Sequence, residues 1–172
     1  MSTLNVKNLQ GIYPSNRITV PTGQTLYAPG HILQVVYTRS NARATTTSTT
    51  PVAIDSTMNL TLTPASTSSK IFVAYHIQVS GAYSALNNFA YIYRNSGTQL
   101  TYTNCYRIDY TNSAETTRAS LIYLDSPNTT SLTTYNLFLS ASSSSYNLQY
   151  NYASAETGDW GYSYGYAMEV AQ

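Results

Sequence analysis

From Ser68 to Ser80 apolar and other residues alternate: Ile71, Val73, Tyr75, Ile77 and Val79 fall on every second position. A strand's side-chain period of two puts all five on one face, and that face requires a core. Phe72, Ala74, His76 and Gln78 make the other face mixed, either partly wet or covered by a neighbouring subunit. The segment reads as the central strand of an antiparallel sandwich. His31 to Thr38 reads as the first strand of the same domain, and Val52-Ala53-Ile54 as a short one. Met58, Leu60 and Leu62 alternate strictly, and the turn over Pro64 to Ser69 makes this strand the expected antiparallel neighbour of the central one.

Further along, Phe89 to Arg94 is a strand, and the turn chemistry of Asn95-Ser96-Gly97-Thr98 returns Gln99 to Tyr106 as its hairpin partner. Strands are also expected over Arg118 to Leu124, Thr133 to Ala141, Tyr146 to Tyr150 and Tyr162 to Val170. Arg39 to Thr50, Gly81 to Asn87 and Arg107 to Glu115 read as polar connections. About eight or nine strands, turns every 8 to 12 residues and no amphipathic helix define an all-β chain, an antiparallel β-sandwich or jelly roll over residues 31–172.

Residues 1–30 stand apart. Leu4, Val6, Leu9 and Ile12 are apolar, and Pro14, Pro21, Gly23, Pro29 and Gly30 punctuate the remainder of this stretch. Proline lacks an N–H and restricts the residue before it, so a long helix is excluded and an extended arm results. Such an arm cannot bury its apolar residues alone. Either it lies on its own domain, or Leu4, Val6, Leu9 and Ile12 anchor it between subunits.

Composition narrows the function classes. In 172 residues only 9% are charged, while 22 Ser and 25 Thr supply the polarity, so the surface is neutral and hydroxyl-rich. The eight basic residues are scattered singly, which disfavours nucleic acid and anionic membranes. An apolar content of 42% argues against disorder, and no run is long enough to insert into a membrane. Met1-Ser2-Thr3-Leu4 has no basic, apolar signal region, so synthesis in a cytoplasm is expected. Cys105 is the lone cysteine, and neither a disulfide framework nor a Cys-pair metal site is expected.

Catalysis finds little local support. Cleaving a glycan takes two flanking carboxylates, and the best pair by sequence, Glu156 and Asp159, reads more simply as turn residues in a Gly-containing loop. Asp125 before Ser126-Pro127 also reads as a turn residue, and His76 as a structural histidine. The expectation is a non-enzymatic protein without cofactor or metal.

The aromatic residues say more. Eighteen Tyr against three Phe and one Trp is a skewed ratio, because a core alone would prefer Phe. Tyr162, Tyr164 and Tyr166 share one strand face, with Ser163, Gly165 and Ala167 on the other, a small face able to approach another chain closely. The tyrosine ladder is open to three readings: core or subunit interface, a platform for sugar rings, or plain exposure. For recognition, residues in loops are favoured, so Trp160, Tyr83 and Tyr152 are the candidate receptor-binding residues.

Five segments in order carry a resemblance. They are Ser2-Thr3-Leu4-Asn5-Val6-Lys7-Asn8-Leu9-Gln10, Ile18-Thr19-Val20-Pro21-Thr22-Gly23-Gln24-Thr25-Leu26, Thr63-Pro64-Ala65-Ser66-Thr67-Ser68-Ser69-Lys70-Ile71, Leu124-Asp125-Ser126-Pro127-Asn128-Thr129-Thr130-Ser131 with Thr134-Tyr135, and Ala167-Met168-Glu169-Val170-Ala171-Gln172. Together, over nearly the full chain, they resemble small bacteriophage tail-fibre and virion structural proteins of marine and freshwater phages. The resemblance implies a non-enzymatic virion component, a homotrimer whose N-terminal segment faces another virion protein while the β domain faces outward toward host-cell polysaccharide. The chain departs from a full-length fibre in having no collagen-like or coiled-coil shaft, so a short fibre, a fibre tip and a capsid decoration protein on the head are all compatible with it.

Overall fold

The computed structural model describes residues 28–81, 88–106, 115–145, 147–152 and 161–172, with backbone alone at 81, 104–106 and 115–116. The expected arm, with Leu4, Val6, Leu9 and Ile12, and the loop residues Tyr83 and Trp160 lie outside the described residues, as do Glu156 and Asp159. Within them the chain is all-β. The strands are β1 (Ile32–Ser40), β2 (Ala44–Thr46), β3 (Val52–Ala53), β4 (Leu60–Leu62), β5 (Lys70–Gly81), β6 (Asn88–Arg94), β7 (Thr98–Tyr106), β8 (Glu115–Asp125), β9 (Thr133–Ser140), β10 (Leu148–Tyr150) and β11 (Ser163–Val170). Among the described residues a single 3-10 turn, Ser56–Met58, precedes β4, with the Asp55 carboxylate accepting from Thr57 N.

The strands form two antiparallel sheets. In the six-stranded sheet β5 is central: β8 pairs along one side of it, while β11 and then β10 share the other, with β1 outside β11 and β2 outside β10. In the five-stranded sheet β9 plays the same part, flanked by β6 and β7 on one side and by β3 and β4 on the other. One core fills the space between them. From β5 it takes Ile71, Val73, Tyr75, Ile77 and Val79, the five alternating residues that define the strand in sequence. Tyr135, Leu137 and Leu139 of β9, Ala90 and Ile92 of β6, and Met58, Leu60 and Leu62 meet them there.

The expected hairpin is present: β6 and β7 pair antiparallel around Asn95-Ser96-Gly97. Asn95 and Ser96 take positive φ values of 51° and 56°, the left-handed backbone that a tight hairpin turn needs. The pairing of Met58–Thr63 with the central strand is corrected. Leu60, Thr61 and Leu62 pair with β9, so the turn over Pro64 to Ser69 carries the chain from one sheet to the other. The strand's alternation shows only that Leu60 and Leu62 face the core, and they do so from the opposite layer. The polar tract from Arg39 to Thr50 contains β2, short and paired to β10.

Tyrosine also turns out to be a core residue. Tyr75, Tyr135 and Tyr150 are the largest fully buried side chains, while Phe72, Phe89 and Phe138 are all only half-buried. Tyr75 is admitted because its hydroxyl lies 2.9 Å from the carbonyl oxygens of both Met58 and Tyr135. The Tyr135 hydroxyl donates to Asp125 Oδ2 at 2.8 Å. Asp125 is therefore not a turn residue: it is buried at the end of β8 and holds the Arg94 guanidinium, whose Nη1 lies 2.9 Å from each carboxylate oxygen. This trio ties β8 of one sheet to β6 and β9 of the other.

Candidate functional site

Both outer faces of the sandwich carry aromatic residues, and the two faces differ in chemistry. On the six-stranded sheet the register aligns outward positions across four strands. Arg39 of β1 lies opposite Tyr164 of β11, which lies opposite His76 of β5, itself opposite Ser120 of β8. Moving along the strands, the next row is Tyr37, Tyr166, Ala74 and Ile122, and the one beyond it Val35, Met168, Phe72 and Leu124. Val35, Tyr37, Ile122 and Leu124 are 57%, 63%, 56% and 56% exposed.

This face is graded. Its aliphatic end is continued by Ile32, also exposed. At the other end the His76 ring stacks on Tyr164 with centroids 4.8 Å apart, and its Nδ1 lies 2.8 Å from Ser120 Oγ. The Arg39 guanidinium sits 4.0 Å over the Tyr162 ring. There His76, Ile77, Arg118, Ser120, Tyr162 and Tyr164 line an open recess.

The tyrosine ladder thus points outward, away from the protomer's own core. Its opposite face, Ser163, Gly165 and Ala167, is the buried one, and the close approach it permits is to Tyr75 of the same chain. A Cβ on Gly165 would lie 2.6 Å from Tyr75 Cδ1, so only glycine leaves room for that ring. Glu169 also faces inward and is fully buried, its carboxylate taking hydrogen bonds from Ala65 N at 2.7 Å and from the Gln34 amide.

The five-stranded sheet has a second aromatic face, absent from the expectations drawn on sequence. Phe89, Tyr91 and Tyr93 project from β6, Tyr102 from β7 and Phe138 from β9. Tyr91 is the hub, 6.0 Å from Tyr102, 6.3 Å from Tyr93 and 6.4 Å from Phe89 between centroids, and Tyr93 lies 4.4 Å from Phe138. Polar groups frame the rings: Tyr91 Oη lies 3.0 Å from Ser140 Oγ, and Tyr93 Oη donates to Gln99 Oε1 at 3.1 Å. A signal for this face exists in the chain, since Phe89, Tyr91 and Tyr93 alternate with the core residues Ala90 and Ile92, and hairpin pairing brings Tyr102 opposite Tyr91.

Of the loop candidates, Tyr152 is among the described residues. It follows β10 half-buried, with Arg43 5.3 Å from its ring and its carbonyl accepting from the Gln78 amide at 3.2 Å. It belongs to neither ring cluster. Compared with known proteins, the chain matches no family model and no curated protein.

Proposed function

We propose that this chain is a non-enzymatic structural component of a phage virion, similar to a tail fibre, with a jelly-roll sandwich. In this reading three copies associate through the outer face of the six-stranded sheet, residues 1–30 attach the assembly to another virion protein, and the surface left outward binds host-cell glycan. The observation that carries it is the exposed row of Ile32, Val35, Tyr37, Ile122 and Leu124 on a chain whose composition is rich in Ser and Thr. An apolar patch spread over four strands marks an interaction surface, and each Å² withdrawn from water contributes about 25 cal/mol. A three-fold homo-oligomer closes through heterologous contacts, so one part of this face would meet a different part of it on the next copy, with the aliphatic end buried and the Arg39 and Arg118 end left at the rim.

Sedimentation equilibrium of the full chain tests the assembly. The wild type is expected to be trimeric, and Val35→Lys with Leu124→Lys monomeric with an unchanged β-type circular dichroism spectrum. A wild type that stays monomeric at micromolar concentration would overturn it. Binding of the tagged protein to intact host cells, with competition against infection, tests adhesion. Arm-dependent binding to tail-less capsids without cell binding would instead place the protein on the head as a decoration.

A further inference from the structure

We infer that the outer face of the five-stranded sheet is a platform for an uncharged glycan chain, whose sugar rings lie flat on Tyr91, Tyr93, Tyr102, Phe89 and Phe138. The inference deepens the adhesive reading above and rests on it, placing recognition on a sheet face in place of the loops.

Three observations select this occupant. First, the rings are contiguous and rigidly held: three project from β6, which is hydrogen-bonded on both sides by β7 and β9, and each lies within 6.4 Å of another. Ring faces carry negative quadrupole density, which attracts the polarised C–H groups on one side of a pyranose. Second, the described outward positions of β6, β7 and β9 include no Lys, Arg, Asp or Glu: besides the rings they include Gln99, Thr134, Asn136 and Ser140. Phosphate or carboxylate ligands would find no cation there, which excludes nucleic acid and acidic polysaccharide as the favoured partner. Third, the polar groups at the surface are those that exchange hydrogen bonds with sugar hydroxyls, namely the phenols of Tyr91 and Tyr93, oriented by Ser140 and Gln99, and the exposed Gln99 amide. A second copy of the chain is the weaker fit, because four of the five exposed aliphatic side chains among the described residues, Ile32, Val35, Ile122 and Leu124, lie on the opposite sheet, the fifth being Leu132 in the loop before β9.

The test uses the full chain with a panel of neutral oligosaccharides of glucose, galactose and mannose, and a uronic-acid oligosaccharide as the charged comparison. Saturation-transfer NMR reports which sugars touch aromatic protons, and titration gives the affinity. At least one neutral member is expected to bind at millimolar or lower concentration. Tyr102→Ala, at a position 59% exposed and so dispensable for folding, is expected to weaken it about tenfold, while Leu132→Ser in the loop before β9 leaves it unchanged. Absence of binding by every neutral member, binding of the uronic acid alone, or loss on Tyr152→Ala with Tyr102→Ala neutral would each overturn the platform. Sedimentation of the same samples separates the two claims: a trimer whose glycan binding ignores Tyr102 refutes the platform alone, and a monomer that binds through Tyr102 refutes the assembly alone.

Discussion

Tyr75 is held at the centre of the core by two requirements that the molecule meets with different residues. Its ring needs volume, which the missing side chain of Gly165 provides, and its hydroxyl needs acceptors, which the carbonyls of Met58 and Tyr135 provide. Gly165→Ala forces a methyl group against the ring and should destabilise the fold by about 1–3 kcal/mol. Tyr75→Phe leaves buried carbonyls short of a donor and should cost about 1–3 kcal/mol; urea unfolding measures both. Burial raises the phenol pKa of Tyr75, Tyr135 and Tyr150 above the ordinary value near 10, and Asp125 raises that of Tyr135 further. A raised folded-state pKa keeps the proton on while the unfolded chain loses it. Stability from these groups is therefore complete below pH about 10 and falls above it, by about 1.4 kcal/mol per pH unit for each tyrosine. Unfolding free energies measured between neutral pH and strong alkali should show this decline, and Tyr75→Phe should make it shallower.

At the level of the strand, hydrophobic alternation made the elements legible and left their partners open. The period of two located β5, β6, β9 and β11, but a strand such as β4 shows the same alternation whichever sheet it joins. Only the crossing over Pro64 to Ser69 decides it. In β11 the two faces are bulky Tyr and small Ser, Gly and Ala, and hydrophobicity alone would bury the tyrosines. The opposite happens because the Tyr75 ring, projecting from the neighbouring strand, already occupies the space over Gly165. Glu169 escapes prediction for a similar reason, since hydrogen bonds from Ala65 and Gln34 stand in for water. Asp125 read as a turn residue because its partners are 31 and 10 positions distant. Of the candidate recognition residues, Tyr152 stands apart from both ring clusters, and the platform on β6 depends on a register that no local pattern states. The Arg94–Asp125–Tyr135 bridge makes a prediction at this scale. Arg94→Gln leaves a carboxylate only 5% exposed without its cation, and unfolding should become easier by about 3 kcal/mol.

For the whole molecule, two faces of opposite character give the sandwich a direction. The aliphatic end of the six-stranded sheet turned toward other copies would leave the aromatic face of the five-stranded sheet outward, where a ligand can reach it. Association linked to folding makes thermal stability depend on protein concentration. The midpoint of thermal unfolding should therefore rise with each tenfold increase in concentration for the wild type and stay constant for the Val35→Lys, Leu124→Lys variant. The pairing of Ile32 with Val170 extends this to biosynthesis. Strand β1 is the first of the described strands to be translated, yet its partner β11 is the last of them, so β1 waits through the passage of all the others with its backbone groups unpaired. Such a topology delays completion of the six-stranded sheet until β11 has been made, and an mRNA truncated before the codons for Ser163–Val170 yields a chain whose central strand β5 has lost its longest partner on one side. Synthesis through β11 thus becomes a checkpoint on the folding of the whole sandwich.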